Sequence, residues 1–538
     1  MTNHGADTLI RARAVHTLVP GQPPQRALAL RGDRISALSA DPNGLDSWMT
    51  EDTTVIDLPG AVVLPAFDDT HTHLIFAGRS AHDVPVHLAR TIPEFLDLIR
   101  RRAAITPAGQ WIRTTTNWQE LNLAERRMPT AAELDQATSR HPVLVKRGGH
   151  NDVVNSYALR LAGITADTPV PPGGVIGRDS DGNLNGRLID NAQGLVERLV
   201  PTQDQDEQID GLRLATGQYA ATGIGTVRDC AVTPHDYATL REASAWDKLS
   251  TRVRALIAAF GLTSAAQVED LLDAIDDWHV SADPMLGIWG VKFGLDGGLE
   301  AGATEQPYVC DHAFSGTLTW EPDALAESVE AVVRRGWRVG THAYGDRAVR
   351  ILLDVYERVL ERNPGLPAGT LVMEHGGLAG PEQRARAVAL GVPVTIQQPL
   401  LHDTAEVETE FWGPERVAAL FPAREWLDQG ALVTAGSDFP VGQFGAMRSV
   451  WGMTTRQTVI GVQGPEHAIS YDEAVALHTT NAARLLGEER LRGMLTAGRF
   501  ADLTIWDRDP AGLPVDTLAD LNPTHTIVGG RLVHATEG

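Results

Sequence analysis

Three features of the sequence predict an α/β fold built on a distorted (β/α)8 barrel of the TIM type. Eight short apolar runs alternate with longer amphipathic stretches. Both chain ends carry short β-type runs bounded by turn residues. A long interval, rich in Pro and Gly around 169–186, separates the first apolar run from the second.

The end segments come first in this reading. Runs at 8–18, 26–38 and 54–58, and at 501–506 and 524–534, are bounded by Asp, Pro and Gly, which predicts short strands. Residues 1–60 with 490–538 are therefore expected to form a small composite β-sandwich, and 61–489 the barrel. The eight barrel runs are 61–67, 223–229, 252–258, 286–293, 338–342, 371–375, 392–397 and 431–438. Helices are expected between them, as at 322–335 and 381–390, with a further helix at 471–486 after the barrel. An inserted subdomain is expected at about 77–211, since a barrel of this kind needs only about 250 residues.

Composition narrows the function classes. With 43% hydrophobic residues in 538, there is ample material for a large core and a satellite. The 69 acidic against 46 basic residues give a net charge of -23, which opposes binding to nucleic acid or to anionic membranes. Two cysteines, Cys230 and Cys310, are too few for a disulfide framework, and the first ten residues lack the basic-then-apolar order of a signal peptide. No apolar run approaches the roughly 20 residues of a membrane span. A cytoplasmic protein is expected.

The chemistry lies at the ends of the apolar runs. Residues two apart on a strand face the same way, so His71 and His73 in Asp68-Asp69-Thr70-His71-Thr72-His73 can offer two imidazoles to one point. A lone His-x-His is weak, but His342 closes the fifth run, His375 the sixth and Asp438 the eighth, where a barrel gathers its catalytic groups. Lys292 sits in the apolar fourth run, where an unpaired ammonium is costly. Its alternative reading is an ion pair with Asp296 or a side chain reaching the barrel mouth.

With these residues in view, the chain resembles the amidohydrolase superfamily, in its YtcJ-like branch that includes N-substituted formamide deformylases. The resemblance runs through Leu64-Pro65-Ala66-Phe67-Asp68, Pro129-Thr130-Ala131-Ala132-Glu133-Leu134-Asp135, residues 150–159 and Pro171-Pro172-Gly173-Gly174. It continues through Val291-Lys292-Phe293-Gly294-Leu295-Asp296-Gly297, His342-Ala343-Tyr344-Gly345-Asp346-Arg347-Ala348, Glu374-His375 and Gly436-Ser437-Asp438. It implies a composite β-sandwich beside the barrel, two divalent ions, zinc suiting the donors best, and a homodimer. His71, His73 and Asp438 would hold one ion and His342 with His375 the other, bridged by Lys292 as N6-carboxylysine.

The implied reaction is hydrolysis of a non-peptide amide or formamide bond in a small molecule. An ion lowers the pKa of bound water towards about 7 and Asp438 serves as general base. Substrate contacts are expected from His150, in Gly148-Gly149-His150-Asn151, and from Trp118, Tyr308 and Arg347. Two rival readings are a mononuclear deaminase of a heterocycle and a non-catalytic barrel acting as a binding or assembly module. The first is disfavoured because Ala343-Tyr344-Gly345-Asp346 holds no glutamate, and the second because every expected ligand is present.

Overall fold

The structure, a computed structural model, describes residues 5–148, 151–171, 174–190, 192–278, 283–298 and 300–536. The chain divides into two compact units, one of them Phe76–Gly211 with Phe439–Gln443 and the other the remainder.

The larger unit contains eight parallel strands in sequential order: Phe67–Thr72, Ile224–Val232, Arg252–Ala258, Leu286–Gly294, Arg338–Ala343, Leu371–His375, Val394–Ile396 and Val433–Ala435. Val227, Val253, Val291, Val339 and Val394 are fully buried, as strands with covered faces require. First and last strands meet through side chains: Thr70 Oγ1 lies 2.9 Å from both Thr434 Oγ1 and the Ala435 carbonyl. Gly436 allows that approach, since a Cβ there would lie 2.5 Å from the His71 nitrogen. Around the strands lie helices such as Pro322–Arg334 and Asp346–Arg362. The first has Pro at its start and buries Leu325, Val329, Val332 and Val333, one stripe at helical spacing.

The first apolar run divides between two sheets. Strand Thr54–Pro65 belongs to a sheet made by the chain ends, and the Ala66 N–H still goes to the Asp502 carbonyl. One residue later the Phe67 N–H turns to the Gly223 carbonyl, and the barrel begins. The chain-end sheet is continuous and seven-stranded, ordered Arg531–Ala535, His525–Val528, Leu503–Trp506, Thr54–Pro65, Thr8–Val15, Gln25–Arg31 and Arg34–Ser39. Both its faces are covered: Ile10, Leu28, Val63 and Ile505 pack on one and Leu9, Ala27 and Ala29 on the other.

The helix expected at 471–486 is two, Tyr471–Leu477 and Thr480–Leu486. His478 interrupts them because its ring is held by the Asp68 carbonyl at 2.7 Å and Ser449 Oγ at 2.9 Å. The smaller unit has a five-stranded sheet, ordered Ile112–Arg113, Val143–Arg147, Asn151–Val154, Leu184–Asp190 and Gly174–Arg178. Helices Ile92–Ile105 and Ala131–Ala137 accompany it, the latter opened by a Thr130/Glu133 capping box. Among the described residues no helix is long and apolar enough to cross a membrane.

Candidate metal centre

His71 lies on the first barrel strand and His73 one residue past its end; Lys292 and His342 lie on the fourth and fifth, and His375 ends the sixth. Asp438 follows the eighth strand by three residues, and its N–H donates to the His71 carbonyl at 2.8 Å. His375 and Asp438 have φ of 74° and 58°, a left-handed conformation that costs a non-glycine residue energy and turns both side chains away from the regular strand direction. Ser437 restrains that bend by donating to Asp69, with its backbone N–H at 3.0 Å and its hydroxyl at 2.5 Å.

The donor groups converge. Asp438 Oδ1 is 2.9 Å from His73 Nε2 and 3.4 Å from His71 Nε2. The His71 ring centroid is 4.6 Å from that of His375, which is 4.4 Å from that of His342. One donor atom each from His71, His73 and Asp438 fits within 4.8 Å of the others, the spacing a single ion can span.

Hydrogen bonds select which nitrogen faces the centre. His71 Nδ1 donates to Glu374 Oε2 at 2.7 Å, which turns Nε2 towards Asp438. Glu374 has no solvent exposure; Arg228 Nη2 reaches its two oxygens at 2.6 and 2.7 Å, and Thr395 Oγ1 donates at 2.7 Å. A second grouping of His71, Cys230 and Glu374 is thus engaged in an ion pair already. Gly340 makes room for this carboxylate, because a Cβ there would sit 2.3 Å from Glu374 Oε1. His342 Nε2 donates to the Gly297 carbonyl at 3.1 Å and so leaves Nδ1 available. His375 Nδ1 is buried with no hydrogen-bond partner among the described residues, a vacancy in its bonding that a cation would fill.

Charge states differ among the donors. Burial opposes a charge on His71, but Cys230, Glu374 and Asp438 outweigh it and raise His71 well above its ordinary value, so a cation must displace that proton. Burial, then the Lys292 ammonium, lowers His342 to about 3, and burial with His342 and His71 nearby puts His375 well below its ordinary value. Both are neutral imidazoles at pH 7, the form that binds metals. Burial opposes the charge on Asp438, but hydrogen bonds from His71 and His73 outweigh it and hold the carboxyl well below 3.8. Lys292 is 1% exposed and, among the described residues, has no carboxylate within ion-pair distance. Beside the histidines, Tyr344 stacks on His342 at 6.2 Å and donates its hydroxyl to Glu408 Oε1 at 2.6 Å.

Three of the residues expected to contact substrate have partners within the protein. Trp118 is in the hydrophobic core of the smaller unit, edge-on to Phe95, with Nε1 donating to the Lys146 carbonyl at 2.7 Å. Tyr308 is 1% exposed, donates its hydroxyl to the Gly302 carbonyl at 2.9 Å and packs on Phe314 and Trp412. Arg347 Nη2 donates to the Ser315 and Gly316 carbonyls at 3.0 and 3.1 Å. Tyr308 and Arg347 thus brace the segment after the fourth strand. His150 lies outside the described residues. Sequence reasoning assigned no task to Glu374 or Arg228; the signal for the latter is an arginine inside the apolar second run.

Residues 54–534 match the sequence family described as the Amidohydrolase family. The N-substituted formamide deformylase of Arthrobacter pascens is 28% identical, over 95% of this chain and 95% of that protein. The putative amidohydrolase YtcJ of Bacillus subtilis is 25% identical over 91% of this chain and 92% of its own. Among solved structures, a metal-dependent hydrolase from Pyrococcus horikoshii superposes with a TM-score of 0.75 at 22% identity, covering 95% of this chain and 99% of that one.

Proposed function

The chain belongs to the amidohydrolase family and is a hydrolase of carbon–nitrogen bonds, and from that premise we propose that it deacylates small N-substituted formamides or related amides. The observation that carries the metal-dependent reading is the convergence of His71, His73, His342, His375 and Asp438 from four strand ends, with a buried His375 nitrogen lacking a partner among the described residues. In this proposal His71, His73 and Asp438 would hold one ion and His342 with His375 a second. Lys292, buried and with no carboxylate within 4.0 Å among the described residues, would join them as a carbamate. Imidazole and carboxylate donors suit zinc best. Such an ion, when bound, acts as a Lewis acid towards a carbonyl and makes water more acidic at neutral pH.

The protein's own groups perform the remaining tasks. Asp438 is anionic at neutral pH, so its carboxylate takes the proton from the attacking water and then delivers it to the leaving nitrogen. Glu374 and Arg228 keep the His71 ring in one tautomer and orientation. The wall of Tyr344, Phe421 and Trp412 keeps the surroundings of His342 and His375 apolar, which strengthens every charge interaction there. A panel of N-benzylformamide, acetanilide, hydantoin and phenyl acetate, assayed with metal-analysed protein, tests the reading. Turnover of the formamide above the others is expected; turnover of the ester alone overturns it.

A further inference from the structure

At the opposite end of the barrel strands from the metal centre, the larger unit holds a cavity of about 550 Å³. Its rim includes Arg338, the first residue of the fifth strand, and residues immediately before the sixth, seventh and eighth strands, closed by the segment after helix Thr480–Leu486. Four arginines line it, Arg338, Arg484, Arg492 and Arg499, against one acidic residue, Glu489, among the described residues. This is a cationic concavity in a chain whose 69 acids outnumber its 46 bases. Such a surplus supplies counter-ions for most arginines, yet among the described residues Arg338, Arg484 and Arg499 have no carboxylate within 4.0 Å.

Arg492 is oriented by its other bonds. Its Nε donates to Glu488 Oε2 at 2.5 Å and its Nη1 to Asp68 and to Thr226 Oγ1, the last at 2.9 Å. The remaining nitrogen, Nη2, is buried without a hydrogen-bond partner among the described residues, although the residue is only 4% exposed. A buried guanidinium N–H left unpaired is costly unless something completes it. Burial also lowers the pKa of Arg338 and of Arg499, as expected of cations held where water is scarce. Between the arginines the lining is apolar, from Val388, Val392 and Leu432. The volume falls in the range of about 300–1,000 Å³ typical of small-ligand sites and is far larger than a bare phosphate needs.

Arg338 and Arg499 each spend one N–H on a backbone carbonyl, of Leu485 and Arg492, and keep the others. From the juxtaposition of three arginines without a carboxylate partner among the described residues, a buried Arg492 Nη2 and an apolar wall in one cavity, we infer that this end of the barrel binds a small organic anion. Its oxyanion head, carboxylate or phosphate, pairs with Arg492, Arg499 and Arg484, and its carbon body lies against Val392 and Leu432. Guanidinium forks match both head groups, so the head is settled by comparison of probes.

Isothermal titration of the purified, metal-analysed protein with phenyl phosphate, phenylacetate and inorganic phosphate provides the test. Saturable binding of at least one aromatic probe, tighter than inorganic phosphate, is expected, and the tighter of the two identifies the head group. Arg484→Ala and Arg499→Ala are each expected to weaken that probe about tenfold, the loss of one charge-assisted contact. Glu489→Gln, at an exposed position, is expected to tighten it by removing the one opposing charge. No saturable binding of any probe up to about 10 mM, weaker than a millimolar site, would overturn the inference. So would binding that none of the three substitutions alters, since that places the probe elsewhere, the metal centre included.

Discussion

Replacing Glu374 with Gln separates what holds the larger unit together from what holds its metal. The carboxylate receives four contacts within 2.7 Å, from His71 Nδ1, Thr395 Oγ1 and, at both its oxygens, Arg228 Nη2. A glutamine of the same shape keeps one acceptor oxygen and turns an NH2 group towards donors, while fully buried Arg228 loses its counter-charge. Breaking a buried ion pair on one side costs about 3–5 kcal/mol, and losing the carboxylate behind a ligand histidine weakens metal binding about 10–100-fold. The assay is denaturant unfolding of metal-free protein together with metal affinity measured against a competing chelator. The double variant Arg228→Met/Glu374→Gln leaves no stranded charge, so it should regain much of the stability while metal affinity stays low. Equal stability of single and double variants, or metal affinity unchanged in Glu374→Gln, would refute this division of labour.

Other consequences can be checked as directly. Lys292→Ala should lower the metal content per chain and turnover together, with partial recovery when a short carboxylate such as propionate is supplied; metal analysis beside activity reads both, and unchanged stoichiometry counts against a bridging role. Gly436→Ala forces a methyl to within 2.5 Å of the His71 nitrogen, so it should cost about 1–3 kcal/mol and lower metal retention, visible in thermal unfolding and metal analysis. Glu488 is held at about 2, against 4.5 ordinarily: burial opposes its charge, but Arg492 and Arg254 outweigh burial. Because the folded value is the lower one, its contribution to stability is complete above pH 4.5 and is lost as pH falls through about 2. The stability gap between wild type and Glu488→Gln should therefore be constant above pH 4.5 and close towards pH 2; a gap that widens on acidification would contradict the pairing.

The barrel was legible because parallel strands covered on both faces read as short, nearly continuous apolar runs, and because His342, His375 and Asp438 interrupt that pattern where the runs end. The first run misled for the same reason: residues 61–65 are as apolar as Phe67, and only the change of hydrogen-bond partner from Asp502 to Gly223 divides them between two sheets. The break at His478 was hidden because its cause, the Asp68 carbonyl, is 410 positions away. Distance in sequence also hid the pairing of Glu374 with Arg228, which the fold brings together across 146 positions. The partners of Trp118 and Tyr308 were equally hidden, since their indole and hydroxyl donate to backbone carbonyls that only the fold brings near.

The most direct test of a metal-dependent hydrolase is turnover measured through removal and restoration of the metal. Chelator-treated protein that remains folded should hold less than about a tenth of an ion per chain, hydrolyse no N-benzylformamide, and regain activity in proportion to zinc added. Full turnover in the metal-free protein would contradict the account.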